Sequence, residues 1–288
     1  MRLSFRWAAI SLLMLFVEGP LAAAALLSPP PGNYTVSRVA TNAEFATINN
    51  SGQVAGTTPA VTGYSLFLWT PLAVNGTVGT LTDLGGLPLL ANLDAGVWIN
   101  DRGQVVSTAA FQNLARQIVL WSPDTPNGAS GSYSQIPIAT SPLACGGISC
   151  NPDFAVGINN FGQVAGAWQI WTPSSANGTS GTNFTDSRFD LIKAINAFGQ
   201  TISGFPQAYL FTPAVANGNS GTFTPIGLPG AASTSLVSIN NNGTIVGVSC
   251  VGASNVNCQG QAFLWTPNSA NGTTGTTVAI PGPAFSAR

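Results

Sequence analysis

The 288-residue chain carries eight Lys and Arg against nine Asp and Glu, a formal net charge of −1, and no histidine. Hydrophobic residues make up 45% and charged residues 6%, which excludes intrinsic disorder, since disorder needs low hydrophobicity and high net charge. Eight scattered cations cannot build a phosphate-tracking stripe for nucleic acid, and without histidine no His-dependent triad or His metal site can form.

The chain begins with a positive n-region, Arg2 and Arg6, followed over residues 7–17 by a mostly apolar run too short to span a bilayer. Gly19-Pro20 breaks any helix, and residues 22–25 offer small-x-small cleavage sites. This order predicts a secretory signal peptide over residues 1–25, cut near Ala24 or Ala25, and a secreted, extracellular or periplasmic protein. A buried N-terminal helix is the competing reading. No second apolar stretch reaches membrane length, so no stable membrane insertion is expected after cleavage.

Residues 34–39 then read as a lone strand ahead of a five-fold repeat. Its first motif recurs as INNSGQVAG from Ile48, INDRGQVVS from Ile99, INNFGQVAG from Ile158, INAFGQTIS from Ile195 and INNNGTIVG from Ile239. The mean spacing of about 48 residues lies in the range of propeller blades. Each copy is followed by an aromatic run closed by proline (FLWTP, VLWSP, QIWTP, YLFTP, FLWTP), then by an Asn-Gly segment from Asn75, Asn127, Asn177, Asn217 or Asn271.

Each repeat reads as four short strands. The first ends at Ile-Asn, and the following Gly supplies the positive φ of a tight hairpin. The second is the Gln-Val stretch. The third is the aromatic run, halted where proline cannot donate to a ladder. The Asn-Gly turn leads into the fourth, such as residues 80–84. Residues 26–288 are therefore expected to form one all-β domain, a β-propeller of about five four-stranded antiparallel blades. The N-terminal strand would complete or flank the last blade. A stacked solenoid is the alternative. Residues 280–286 resemble 228–234, which lead into the fifth repeat, so the chain reads as stopping where a further repeat would begin.

The Ile-Asn-Asn-x-Gly-Gln-Val-x-Gly and Ala-Phe-Leu-Trp pattern resembles the HAF family of bacterial extracellular repeats, most closely at Gln261-Ala262-Phe263-Leu264-Trp265. The family's namesake histidine is Gln261 here. The resemblance covers roughly residues 33–288 and implies a secreted β-repeat protein. It brings no catalytic residues with it.

Chemistry-bearing residues are sparse. Cys145 with Cys150, and Cys250 with Cys258, form two close pairs that in an exported chain read as disulfides. A zinc site built from all four thiolates is the alternative, with inner spacings longer than usual zinc knuckles. Asp186 and Asp190 read as solvated, and Asp101 alone brings a carboxylate to an Asn-x-Gly turn that otherwise imitates a calcium loop. Trp69, Trp121, Trp171 and Trp265 read as core rather than as a sugar-stacking set. The Asn-Gly-Thr sequons at Asn75, Asn177, Asn242 and Asn271 read as turn chemistry first.

The span from the second strand to the third is long in repeats one, two and five and short in three and four. In a closed ring the three long hairpins would be neighbours, on the face that also carries the blade-to-blade links. Tyr64, Phe111, Asn113, Arg116, Asn255 and Asn257 are the exposable side chains there, and they mark a candidate ligand face. Simple tolerance of insertions explains the same lengths. The expected function is a secreted, non-catalytic binding or structural module without cofactor or metal, its partner an extracellular glycan or surface protein. A polysaccharide lyase or hydrolase on the same scaffold is the alternative. Mass spectrometry of unreduced peptides is expected to give Cys145–Cys150 and Cys250–Cys258; each small loop closure adds about 2–3 kcal/mol by chain entropy.

Overall fold

The computed structural model describes residues 36–60, 63–87, 96–110, 116–138, 154–251, 259–282 and 285–286. Apart from Val36, all belong to one compact unit, Ser37–Arg288. The expected signal peptide, residues 1–25, lies outside the described residues.

The repeat is built on two turns locked together. In the first, Asn49 Oδ1 accepts the backbone N–H of Ser51 and of Gln53, both at 3.0 Å. Gly52 closes the turn at φ 82°, and its counterparts Gly103, Gly162, Gly199 and Gly243 have φ between 85° and 91°. A Cβ at Gly52 would also lie 2.9 Å from the Asn75 Cα, so only glycine fits. In the second turn Asn75, Asn127, Asn177, Asn217 and Asn271 take φ between 56° and 59°, a region short polar Asn tolerates. Each donates its backbone N–H to a carbonyl of the first turn, as Asn75 does to Ser51 at 3.0 Å and Asn177 to Phe161 at 2.7 Å. One motif therefore docks on the other, which is why the two recur together.

Between these turns run the strands. Sheet 1 holds β1 (Glu44–Ile48), β2 (Val54–Ala60), β3 (Gly63–Pro71) and β4 (Gly79–Leu87). Sheet 2 holds β5 (Trp98–Ile99), β6 (Val105–Ala110), β7 (Arg116–Pro123) and β8 (Gly131–Ile136). Sheet 3 holds β9 (Ala155–Ile158), β10 (Val164–Gly166), β11 (Gln169–Pro173) and β12 (Gly181–Thr185). Sheet 4 holds β13 (Ala194–Ile195), β14 (Thr201–Ser203), β15 (Tyr209–Pro213) and β16 (Gly221–Pro225). Sheet 5 holds β17 (Ser233–Ile239), β18 (Ile245–Val251), β19 (Gln259–Pro267) and β20 (Gly275–Ala279), with β21 (Phe285–Ser286) paired to the start of β19. Each sheet is antiparallel in chain order, and the third strand ends at its proline as expected.

Alternation along each strand makes two apolar faces, one per neighbour. The trailing face of sheet 1 (Ala55, Leu66, Leu68) meets the leading face of sheet 2 (Val105, Val119, Trp121) in a shared core. Equivalent cores join sheet 2 to 3 around Trp171, 3 to 4 around Phe211, and 4 to 5 around Trp265. Trp69, Trp121, Trp171 and Trp265 are all buried, so they are packing residues. The first strands of successive sheets are neighbours, which gives a propeller-like arrangement of five four-stranded sheets. There is no helix among the described residues.

Two expectations change. The sheets do not close into a ring: among the described residues four apolar cores join five sheets, and none joins sheet 5 to sheet 1. The two outer faces stay open. On sheet 5, Val246, Leu264 and Val278 are 37, 36 and 59% exposed, whereas Ile202 and Leu210 at the first two positions of sheet 4 are fully buried. On sheet 1, Ile48 and Leu81 are 53 and 48% exposed. The expected N-terminal strand is also absent from its described part. Residues 36–40 are irregular, Val36 is exposed, and the free end of β19 is paired by β21 from the other terminus.

The apolar cores are reinforced by one asparagine per junction. Asn49 Nδ2 donates to Gln53 Oε1, to the Asn100 carbonyl and to Asn127 Oδ1 of the next repeat, at 3.0, 3.0 and 3.3 Å. Asn100, Asn159 and Asn196 repeat this geometry toward repeats three, four and five. The glutamine four residues on adds a second crossing, Gln53 Nε2 to the Asn127 carbonyl at 3.0 Å, with Gln104, Gln163 and Gln200 alike. Asn159→Ala leaves buried acceptors and N–H groups unpaired and is expected to cost about 1–3 kcal/mol. Asn240→Ala, at the last and exposed copy, should cost clearly less. Urea midpoints of the two variants against the parent check the contrast.

Candidate functional site

The second-to-third-strand hairpins and the sheet-to-sheet links lie opposite the paired turns, and the candidate ligand residues were sought there. Phe111, Asn113, Asn255 and Asn257 lie outside the described residues, as do Cys145, Cys150 and Cys258. Cys250 ends near the tip of β18, is buried, and is not a free thiol. Tyr64 and Arg116 are described, and both sit in strands rather than loops. The extra length of repeat one is spent on ladder: β2 and β3 pair down to Ala60 opposite Gly63, and Tyr64 stands opposite Pro59. Tyr64 packs half-buried on the core between sheets 1 and 2. A hydrogen bond to Glu44, then burial, then the carboxylate charge hold its phenol above the ordinary value. Arg116 opens β7 opposite Ala110. The tips of the three long hairpins, residues 61–62, 111–115 and 252–258, lie outside the described residues.

The same face does carry a cleft, one junction away. A space of about 360 Å³ opens between sheets 4 and 5, walled by Pro206 and Gln207 of the β14–β15 hairpin and by Ile226, Leu228 and Thr234 of the link into β17. Its floor is fixed by a buried hydroxyl pair, Thr234 Oγ1 with Ser249 Oγ at 2.9 Å, and by the Leu228 N–H donating to Ser249 Oγ at 3.0 Å. Phe205, exposed, precedes Pro206 in the same turn. None of the lining residues is ionisable. Phe205 and Gln207 escaped the sequence reading because repeat four has a short hairpin. The available signal was an aromatic–Pro–amide run (Phe205-Pro206-Gln207) in a turn of minimal length.

Elsewhere, Asp101, Asp186 and Arg188 are engaged in structural contacts. Asp101 accepts from Asn50 N and Nδ2 at 2.8 and 2.7 Å and from Asn160 Nδ2 at 2.7 Å, so its carboxylate bridges three turns. Asp186, expected to be solvated and unpaired, instead chelates Arg188 through Nε and Nη2, both at 2.7 Å. That pairing lowers its carboxyl below the ordinary value, and the Arg188 guanidinium also sits 3.8 Å from the Phe223 ring centre. No cluster of three metal-ligating side chains occurs among the described residues.

Asp83 is held below its ordinary carboxyl value first by the Ser65 hydroxyl, which donates at 2.5 Å, and then by the Gly85 N–H at 2.9 Å. A carboxyl lowered by folding adds stability above its ordinary pKa of 3.8 and loses it as pH falls through the folded value. Solvent screening keeps the contribution under about 1 kcal/mol. Ser65→Ala is therefore expected to flatten the acid limb of the stability–pH curve below pH 4 or so, read by thermal unfolding across acid buffers. No family model matches the chain, and no curated protein matches its sequence.

Proposed function

We propose that the chain is an exported, non-catalytic binding module whose ligand is a neutral glycan. The observation that carries this reading is the cleft between sheets 4 and 5, about 360 Å³ and free of ionisable groups. A concave site lined by uncharged polar groups beside a few apolar side chains suits a neutral polar ligand. Phe205, exposed and next in sequence to the lining residue Pro206, offers a stacking face at the edge of the cleft that Gln207 lines, a combination that suits a sugar's C–H face and hydroxyls. General acid–base catalysis needs tuned titrating side chains, and Asp101 and Asp186 already serve turns and an ion pair. The signal-like leader, the two cysteine pairs and the resemblance of the repeats to HAF proteins support an extracellular setting.

A glycan-array screen of the purified protein is the test. Binding is expected, and Phe205→Ala with Gln207→Ala should weaken it at least tenfold. Substituting the exposed Thr274 in the opposite-face Asn-Gly turn should leave it unchanged. Binding lost only in the turn variant, with both proteins folded, would place the site on the wrong face. Cleavage of a bound polysaccharide would replace this reading with that of a lyase or hydrolase.

A further inference from the structure

We infer that the two open faces of the array are halves of one interface, and that the trailing face of sheet 5 docks on the leading face of sheet 1 of a second copy, head to tail. Four times within the chain a trailing face is covered by the leading face of the next repeat. The covering residues are Ile99, Val105, Trp121 and Tyr133 in sheet 2. At the same register positions sheet 1 presents Ile48 and Leu81, both exposed, and the half-buried Val54, around a Trp69 that is itself buried; among the described residues no preceding repeat covers them. The surface they would cover is Val246, Val248, Leu264, Val278 and Ile280, all exposed. An apolar patch of this kind marks an interaction surface rather than scattered solvent-facing residues.

The polar groups match as well. Asn240 keeps the conformation of the four junction asparagines, its Oδ1 accepting from Asn242 and Thr244 N–H at 3.0 and 2.9 Å. Among the described residues its Nδ2 donates to nothing, whereas Asn196 Nδ2 donates to the Asn240 carbonyl and Asn271 Oδ1. Among the described residues the corresponding acceptors on sheet 1, the Asn49 carbonyl and Asn75 Oδ1, receive nothing from a neighbouring repeat. One tier further out, Asp101 N–H donates to Asn160 Oδ1 and Ala197 N–H to Asn241 Oδ1, both at 3.0 Å. Asn241 N–H and Asn50 Oδ1 are the same pair left open at the two ends. The glutamine crossing alone has no counterpart, because Thr244 stands where Gln53, Gln104, Gln163 and Gln200 stand. The new junction therefore lacks the glutamine crossing that all the internal ones have, and a separable contact is the expected result. Since the two faces differ, such a contact is heterologous and extends or closes into a ring according to its rotation.

Sedimentation velocity across a concentration series tests this, with Leu264→Lys and Leu81→Lys as exposed, fold-neutral variants. The parent protein should gain mass with concentration. Each variant should stay monomeric, its association weakened at least tenfold by a lysine placed in the contact. Mixed together, the two variants retain one intact face each and should form a one-to-one dimer and nothing larger. A parent that stays monomeric at every concentration, as it would if its own ends met or a foreign partner covered them, overturns the proposal. So does association that survives either substitution, or a mixture that fails to pair. Glycan binding by monomeric variants is read separately, so the two proposals fail independently.

Discussion

A buried asparagine side chain must find partners for two N–H donors and one carbonyl, or its burial costs more than the packing around it gains. Asn49, Asn100, Asn159 and Asn196 find theirs only when the following repeat is in place. The carbonyl end holds its own turn together, and the amide end reaches forward. One side chain thus ties local conformation to tertiary stacking. A repeat with the turn but no successor leaves the donors to solvent, and one with the successor but a slipped turn misplaces the acceptors. Stability then builds as nearest-neighbour terms along the array, the behaviour of quasi-one-dimensional repeat proteins.

That constraint divides the molecule. The turn side is held to a single geometry by glycines at positive φ and by asparagines that meet their counterparts one repeat on. The opposite side is free to vary, from the minimal hairpin of sheet 3 to the long ladder of sheet 1. Variation there leaves the junction untouched. It is also where the cleft between sheets 4 and 5 opens, and where Cys250 ends a lengthened strand.

The strand order and the turns could be read from residues because each depends on local chemistry. Asn-Gly forces a turn, Thr-Pro ends a ladder, and a two-residue period sorts the faces. The burial of Trp69 and its counterparts follows from the same period. Closure could not be read, because it depends on a rotation between sheets that no motif encodes. The fate of the extra hairpin length was equally hidden: residues near Tyr64 continue a ladder, which becomes visible only once Ala60 is seen opposite Gly63. Asp186 looked solitary because a partner two residues away on a bent segment does not follow strand alternation. Phe205 and Gln207 were passed over because attention to long insertions directs the eye away from short turns.

The scarcity of charge takes on meaning at the junctions. The hydrogen bonds that the buried junction asparagines and the glutamines send to the next repeat are made by amides, groups that neither titrate nor draw a counterion cloud. Protons and dissolved salt act on proteins chiefly through ionisable contacts. Here they find such contacts at the margins, at Asp83, Asp101 and Arg188, and not in the amides that join the blades. The stacking of the array is accordingly buffered by its composition: acid or brine can loosen the exposed Asp101 bridge across the outer turns while the buried amide joints between the sheets remain indifferent to both.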